Sequence, residues 1–530
     1  MNETGFNPDE ANKVTSSSIF RIMSVSKNIA MASALVVENY VKQFSLNDYP
    51  LISMNTPVRV LLPAFGLPEK DWNDGGSEIT LAMLASHTAG IPRESYSTDF
   101  NMILSTGKAD AHTIGSAWAS ANPDDVIEGI KKENLMFAPG QRAAYSNAGI
   151  SILGSAVVAY YNNVTQLDLT WSQLVAKEIL APLNMTHSFF GTVPQDLMPH
   201  IGVPGIENWA DLIVGLGYDP AAGMWSSAKD LATFLHALWL QPSPTLITLF
   251  QRRQVLKPVY ALPDGKQLVG PGWEIQVLTL PASSNGTLVD ITKTYNIYGK
   301  SGDGGGWHSW IDVIPNLGYG IVVLSQQAGL ANYAAISPTQ IRDVVHEILA
   351  PAFAEALAAR LSNNFAGTYS GGQDTGLVTD EVSHSNSDPA TYAIMELEDH
   401  ILYLRELVVN GTSALEAVDR LSWTADAQPK YFSTPQGVVL EPAEGAGEAA
   451  EFGEGAQPWR MIFPGLKTCD WFDFDGYKDT NGWPLSKIVT VKTESGLVLH
   501  YPPFDISVTR TQSRLIQGYK NKGYEKSVIM

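Results

Sequence analysis

The chain has 530 residues, enough for two domains or more, and its 45% hydrophobic and 10% aromatic content excludes disorder of the whole chain. Fifty-four acidic against 34 basic side chains give a net charge of −20, which argues against nucleic acid and anionic membranes as partners. One cysteine, Cys469, allows neither an intramolecular disulfide nor a thiolate metal cluster; beside Trp471 and Phe472 it reads as a small buried hydrophobe.

Residues 1–18 are polar and lack the apolar core of a signal peptide. At face value the chain is cytoplasmic; if the N-terminus is truncated it is secreted. Five Asn-x-Ser/Thr sequons, at Asn2, Asn163, Asn184, Asn285 and Asn410, are close to chance frequency and leave localisation open. No segment reaches the ~18 apolar residues of a membrane span.

Residues 19–40 read as a strand end, a turn and a helix opened by Ser24. That helix is apolar on nearly all faces, so it is a buried one, and Lys27 in its first turn is unusual because buried lysine needs a partner or a role. Further helices are expected over residues 81–86, 113–119, 150–161, 171–180, 227–239 and 346–360, and strands over 269–278, 294–300, 307–313 and 319–325. Helices before and after clustered strands predict an α/β layered domain with a mainly antiparallel sheet. From residue 362 the text changes to short alternating strands, among them 392–398, 400–407 and 488–493, with Gly, Pro, Asn and Asp turns between them. A small all-β sandwich or lipocalin-like barrel is expected there, with a mobile Ala/Gly/Glu-rich loop at 441–457. The domain organisation expected is 1–361 catalytic, 362–516 all-β, and 517–530 a loose tail.

Three elements carry chemistry. In Ser24-Val-Ser-Lys27, positions i and i+3 share a helix face, so the amine reaches the hydroxyl, and a lysine dried by apolar neighbours has a lowered pKa. Alone this pattern is weak, since an ordinary helix start has the same letters. In Tyr145-Ser-Asn147, residues two apart on an extended loop point the same way. A phenol beside ammonium groups shuttles protons, while Asn147 is suited to donate to a substrate carbonyl and to hold the lysine. The bland alternative is a turn tyrosine before a helix. Lys300-Ser301-Gly302-Asp303 lies between two strands, where glycine lets substrate approach backbone N–H groups. The N–H groups of Ser24 and Asp303 would form a two-donor oxyanion hole. Lys300 would place positive charge near the tyrosine or a substrate carboxylate. Taken alone, the segment is also a Gly-rich turn with a solvated lysine.

Together, in this order, the three resemble the Ser-x-x-Lys, Tyr-x-Asn and Lys-Thr/Ser-Gly motifs of the serine β-lactamase and penicillin-binding-protein superfamily, in its class C-like branch of esterases, D-peptidases and transacylases. Residues 79–92, with Ser86-His87-Thr-Ala-Gly90, look like the segment ending "SHTSG"; Pro182-Leu-Asn-Met185-Thr looks like "PLGMT", and 223–231 like "GG-SSA-DL". The resemblance covers about residues 16–351, and the all-β tail is similar, more weakly, to an extra C-terminal domain found on many such proteins, fungal ones included.

The resemblance implies a β-lactamase/transpeptidase-like fold: an antiparallel sheet flanked by helices, plus an all-helical subdomain. It implies Ser24 as the nucleophile that forms an acyl-enzyme, Lys27 and Tyr145 as its proton carriers, Asn147 as a positioner of substrate and Lys27, and Lys300 as electrostatic support. Ser301 and Gly302 would shape the strand and Asp303 would offer its N–H. His87 is expected to be structural. No cofactor and no metal are implied, and the partner is a small-molecule or peptide substrate; the oligomeric state is open. Two features depart from the pattern: only 23 residues precede Ser24, and an acidic side chain stands at Asp303. A hydrolase of esters, amides or lactones, an acyltransferase or cyclase of the same mechanism in secondary metabolism, and an inactive binding scaffold all remain open. No Gly-x-Ser-x-Gly elbow, P-loop or His-Glu-x-x-His motif competes with them.

Overall fold

The computed structural model describes residues 13–43, 51–66, 78–96, 118–202, 214–280, 293–304, 306–326, 337–371, 390–419, 437–443, 448–462 and 477–512. It divides into two compact units, Met1–Thr279 with Thr294–Leu349, and Leu280–Lys293 with Ala350–Met530.

In the first unit, β1 (Ile19–Arg21) leads into α1 (Ser26–Gln43), whose residues from Ile29 to Val37 are buried on every side. At about 1.5–3 kcal/mol per buried large apolar side chain, this helix alone ties much of the core together. Its principal neighbour is a second buried helix, α2 (Asn147–Thr165), which begins one residue after Ser146. Ser146 caps that helix by accepting from the Gly149 N–H at 2.8 Å, and its hydroxyl donates to Pro92 O at 2.6 Å. Such a cap contributes about 1 kcal/mol. It also fixes where Tyr145 ends the incoming loop and where Asn147 starts the helix. Thr80, Asn122, Thr170, Ser227 and Thr248 cap five further helices in the same way.

Strand β1 joins β2 (Phe189–Phe190) and β3 (Met224–Ser227) in a small antiparallel sheet of order β1-β3-β2. The main sheet is antiparallel, of order β4-β5-β6-β7-β8-β9, comprising Tyr260–Ala261, Gln267–Gly270, Trp273–Leu280, Lys293–Gly304, Trp307–Ile314 and Tyr319–Gln326. The single strand expected over 269–278 is therefore a hairpin. Gly272 breaks it: its φ of 75° lies in the left-handed region, and a Cβ there would lie 3.0 Å from the Met31 side chain. The expected helix at 113–119 lies mostly outside the described residues, of which Trp118–Ser120 are helical, and sequence reading passed over the helix Pro123–Lys131.

In the second unit, β10 (Gly367–Ser370), β11 (Tyr392–Glu398), β12 (Ile401–Val409), β14 (Val438–Pro442), β15 (Gln457–Ile462), β16 (Lys487–Thr493), β17 (Gly496–Tyr501) and β18 (Ile506–Gln512) pair antiparallel, β13 (Thr412–Ser413) being a short flap on β12. The pairing of β11 with β12 closes the ring, so this unit is a barrel rather than a sandwich. Tyr369, Met395, Leu404, Leu440, Trp459, Ile488, Leu499 and Tyr501 fill its interior. The expected mobile loop at 441–457 instead contains a helix, Glu448–Phe452, fixed by an ion pair from Lys487 to Glu448 at 2.7 Å. Cys469 and the tail 517–530 lie outside the described residues.

Candidate active site

Ser24 does not open the long helix. It sits one step earlier, in the 3₁₀ turn Met23–Val25, because Met23 holds a left-handed φ of 47°. Strain of that kind is tolerated where the surroundings over-determine it, and here Met23 is buried among Phe20, Trp225 and Trp307. The i, i+3 relation to Lys27 survives. The Lys27 ammonium, fully buried, donates to Ser24 Oγ at 2.9 Å and to the Ala221 carbonyl at 2.8 Å. Tyr145 donates from its phenol to the same Oγ at 2.7 Å.

The charges around Tyr145 explain its chemistry. Lys27 Nζ lies 4.8 Å from the ring centroid, Lys300 Nζ 5.2 Å and Arg93 Cζ 5.0 Å. Burial alone would raise the phenol, but Lys27 and Lys300 bring it down to about 8. Burial lowers the Lys27 ammonium to about 8, against the pull of Tyr145 and with a push from Lys300. The two groups therefore titrate as one coupled pair over one pH range. His87 stacks on Tyr145 at 4.5 Å and accepts from the Ser146 N–H through Nδ1 at 3.1 Å. Burial, then Lys27, Lys300 and Arg93, push it well below its ordinary range, so it stays neutral and holds the ring and the cap in place.

Lys300 reaches the site from β7. Glu274 on β6 pairs with it, and Lys300 also donates to the Ser301 carbonyl at 2.8 Å. Burial opposes the Lys300 charge, but Glu274, Tyr145 and Asp303 together outweigh it and the ammonium sits above its usual range. The Glu274 carboxylate also accepts from the Ser301 hydroxyl at 2.8 Å and the Ser301 N–H at 3.1 Å, tying this point of β7 to β6. Gly302 has no room for a side chain: a Cβ would lie 2.3 Å from Ile22 O, 2.4 Å from Ser309 Oγ and 3.0 Å from Ser24 N. The strand thus lies directly against the backbone of the Met23–Val25 turn that carries Ser24. The Asp303 carboxylate is exposed and engages His308 at 2.8 Å.

One expectation is not met. Asn147 does not hold Lys27; its amide nitrogen donates to Glu94 Oε1 at 2.6 Å, while Lys27 takes the Ala221 carbonyl instead. Sequence reading passed over Glu94, Arg93 and Glu274. Their signal was faint: Glu274 is the one acidic position in an apolar hairpin, and Arg93-Glu94 follows the 79–92 segment without any pattern of its own. A cavity of about 440 Å³ opens beside Ser24, and one of about 200 Å³ lies against Lys27, Tyr145, Glu274 and Lys300. Among the described residues no group of three or more His, Cys, Asp or Glu is placed to hold a metal ion, and no helix is long and apolar enough to cross a membrane.

An α/β layered domain with a serine bonded by a lysine and a tyrosine, and a second lysine on the adjoining strand, defines a serine-centred site. The chain belongs to the Beta-lactamase family, whose profile matches residues 3–346. It is 23% identical over 526 residues to a probable hydrolase of Phoma sp., covering 91% of this chain and 76% of that one. It is 25% identical over 345 residues to the D-alanyl-D-alanine-carboxypeptidase/endopeptidase AmpH of Escherichia coli, covering 62% of this chain and 76% of that one. Among solved structures, a class C β-lactamase from Rhodobacter sphaeroides aligns with TM-score 0.46 and 20% identity over 65% of this chain and 89% of that one.

Proposed function

We propose that this protein is a serine hydrolase that cleaves ester, amide or lactone carbonyls through an acyl-enzyme on Ser24. The observation that carries the reading is the convergence of Lys27 and Tyr145 on Ser24 Oγ, at 2.9 and 2.7 Å, with both groups brought to about 8. A base poised near the working pH combines availability with driving force.

With both groups protonated, each donates to Oγ and neither can take its proton. Loss of one proton from the pair creates the acceptor. Ser24 Oγ then attacks the carbonyl carbon, its proton passes to the Tyr145–Lys27 pair, and the oxyanion is received by the N–H groups of Ser24 and Asp303. The pair returns the proton to the leaving group, which departs and leaves an ester on Oγ. Water then attacks that ester, with the same pair as base, and frees Ser24. Lys300, held charged by Glu274, keeps the phenol in its lowered range throughout.

The test is turnover of nitrophenyl esters together with intact-protein mass spectrometry during turnover. The reading expects an acyl adduct on Ser24 that accumulates and then decays in water. Decay that requires an added alcohol or amine would replace hydrolase by acyltransferase; no adduct and no Ser24-dependent turnover would overturn the reading.

A further inference from the structure

Two uses are open to Lys300: to support the Tyr145 phenol, or to receive a carboxylate of the substrate. Its surroundings leave the first. The Lys300 side chain is 2% exposed, whereas that of Glu274, its ion-pair partner, is 38% exposed. Two of the three ammonium N–H groups are taken, by Glu274 Oε1 and by the Ser301 carbonyl at 2.8 Å. The neighbouring donors go to the same side chain: the Ser301 hydroxyl and N–H both meet Glu274 Oε2, at 2.8 and 3.1 Å. Glu274, Lys300, Lys27 and Tyr145 border the cavity of about 200 Å³, whose lining is otherwise mostly apolar, with Leu262, Val269 and Trp273 among it. A cavity of about 150 Å³ lined by apolar groups holds a benzene ring, so this one has room for an aryl group. On the proposed mechanism the Lys27–Tyr145 pair has lost one proton when Ser24 attacks and carries no net charge. Lys300 and Glu274 cancel as well. A substrate carboxylate entering here would give up its hydration without gaining an ion pair, which is costly.

We infer that the leaving side of the substrate carries an uncharged, apolar group seated along Tyr145 in this cavity. Glu274 is the specificity-determining residue, because the protein's own carboxylate fills the place that a substrate carboxylate would otherwise take. The side of the scissile bond follows from the proton. The Tyr145–Lys27 pair returns it to the leaving atom, so that atom lies against Tyr145 and what it bears extends into the cavity that Tyr145 borders. This inference rests on the serine-hydrolase reading for its reaction, but its binding component does not need turnover.

The test compares m-carbamoylphenyl acetate with m-carboxyphenyl acetate, each rate being normalised to spontaneous hydrolysis in the same buffer. In parallel, binding of m-acetamidobenzamide and m-acetamidobenzoate to the Ser24→Ala protein is followed by NMR titration. The uncharged compound is expected to be favoured about tenfold or more in both readouts, the scale on which a site rejects a polar group it leaves unpaired. Glu274→Gln releases the Lys300 ammonium and the Ser301 hydroxyl, so the preference disappears or turns toward the carboxylate. A shifted pH limb in that variant acts on both esters alike and leaves their ratio untouched. Wild-type ratios near one or in favour of the carboxylate, or a preference unchanged in Glu274→Gln, would overturn the inference. Ser24-dependent turnover without charge preference removes this inference alone, whereas a Glu274-dependent preference in binding without Ser24-dependent turnover removes the hydrolase reading alone.

Discussion

Replacing Lys300 by Met keeps the unbranched side chain to within one atom of its length and deletes its charge. Lys300 Nζ lies 5.2 Å from the Tyr145 ring centroid. At an effective dielectric constant near 20, one unit charge at that distance is worth about 3 kcal/mol, or roughly 2 pKa units. Glu274, paired with the same ammonium, cancels part of that field, so the net effect on the phenol is about 1 unit. The sign follows from the direction of each influence: Lys300 lowers both Tyr145 and Lys27, so its removal raises both. In the native protein kcat/KM for a nitrophenyl ester rises with pH through about 8, as the pair loses its first proton. In Lys300→Met that limb moves to higher pH, and the rate loss is largest below the limb and smaller above it. A profile lowered by the same factor at every pH would refute the electrostatic role and leave Lys300 a binding group only. Glu274→Gln supplies the opposite sign, since the uncompensated Lys300 charge lowers the phenol further and moves the limb to lower pH.

Other outcomes follow from single contacts. Gly302→Ala, whose Cβ would lie 2.3 Å from Ile22 O and 3.0 Å from Ser24 N, pushes β7 off the turn that carries Ser24; on the proposed mechanism kcat falls about 100-fold or more, the scale of losing an oxyanion donor, with circular dichroism unchanged. Gly272→Ala sets a Cβ against Met31 at 3.0 Å and a left-handed φ; denaturant unfolding should show a loss of about 1–3 kcal/mol. Asp219 is buried and raised to about 7, burial outweighing the help of Ser172 and Arg21. Between about pH 4 and 7 the unfolded chain ionises this group while the fold keeps it protonated, so its contribution to stability falls as pH rises through that window. Asp219→Asn should therefore flatten the fall in thermal midpoint from about pH 4 to 7, by an amount equivalent to a few kcal/mol at most; an unchanged slope would show that Asp219 is ionised in the fold.

What was legible in the sequence was local chemistry. Ser24 with Lys27, Tyr145 with Asn147, and Lys300 with Gly302 each sit within four residues of one another, so spacing alone puts them on one face or one strand. The carboxylates that tune them are not local. Glu274 meets Lys300 across 26 positions and Glu94 meets Asn147 across 53, through strand pairing and a capped loop that spacing does not reveal. The hairpin at Gly272 was hidden because apolar residues continue on both sides of the Pro-Gly turn. Barrel closure rests on one pairing, β11 with β12, and alternating strands read the same in a sandwich.

The most direct measurement is labelling with a fluorophosphonate probe, followed by peptide mapping, in the wild-type protein and in Ser24→Ala. An activated serine predicts one modified peptide containing Ser24, absent from the variant, with a labelling rate that climbs through about pH 8 alongside the Lys27–Tyr145 pair. Well-folded protein that takes no label at Ser24, or labels equally in the variant, would contradict the account.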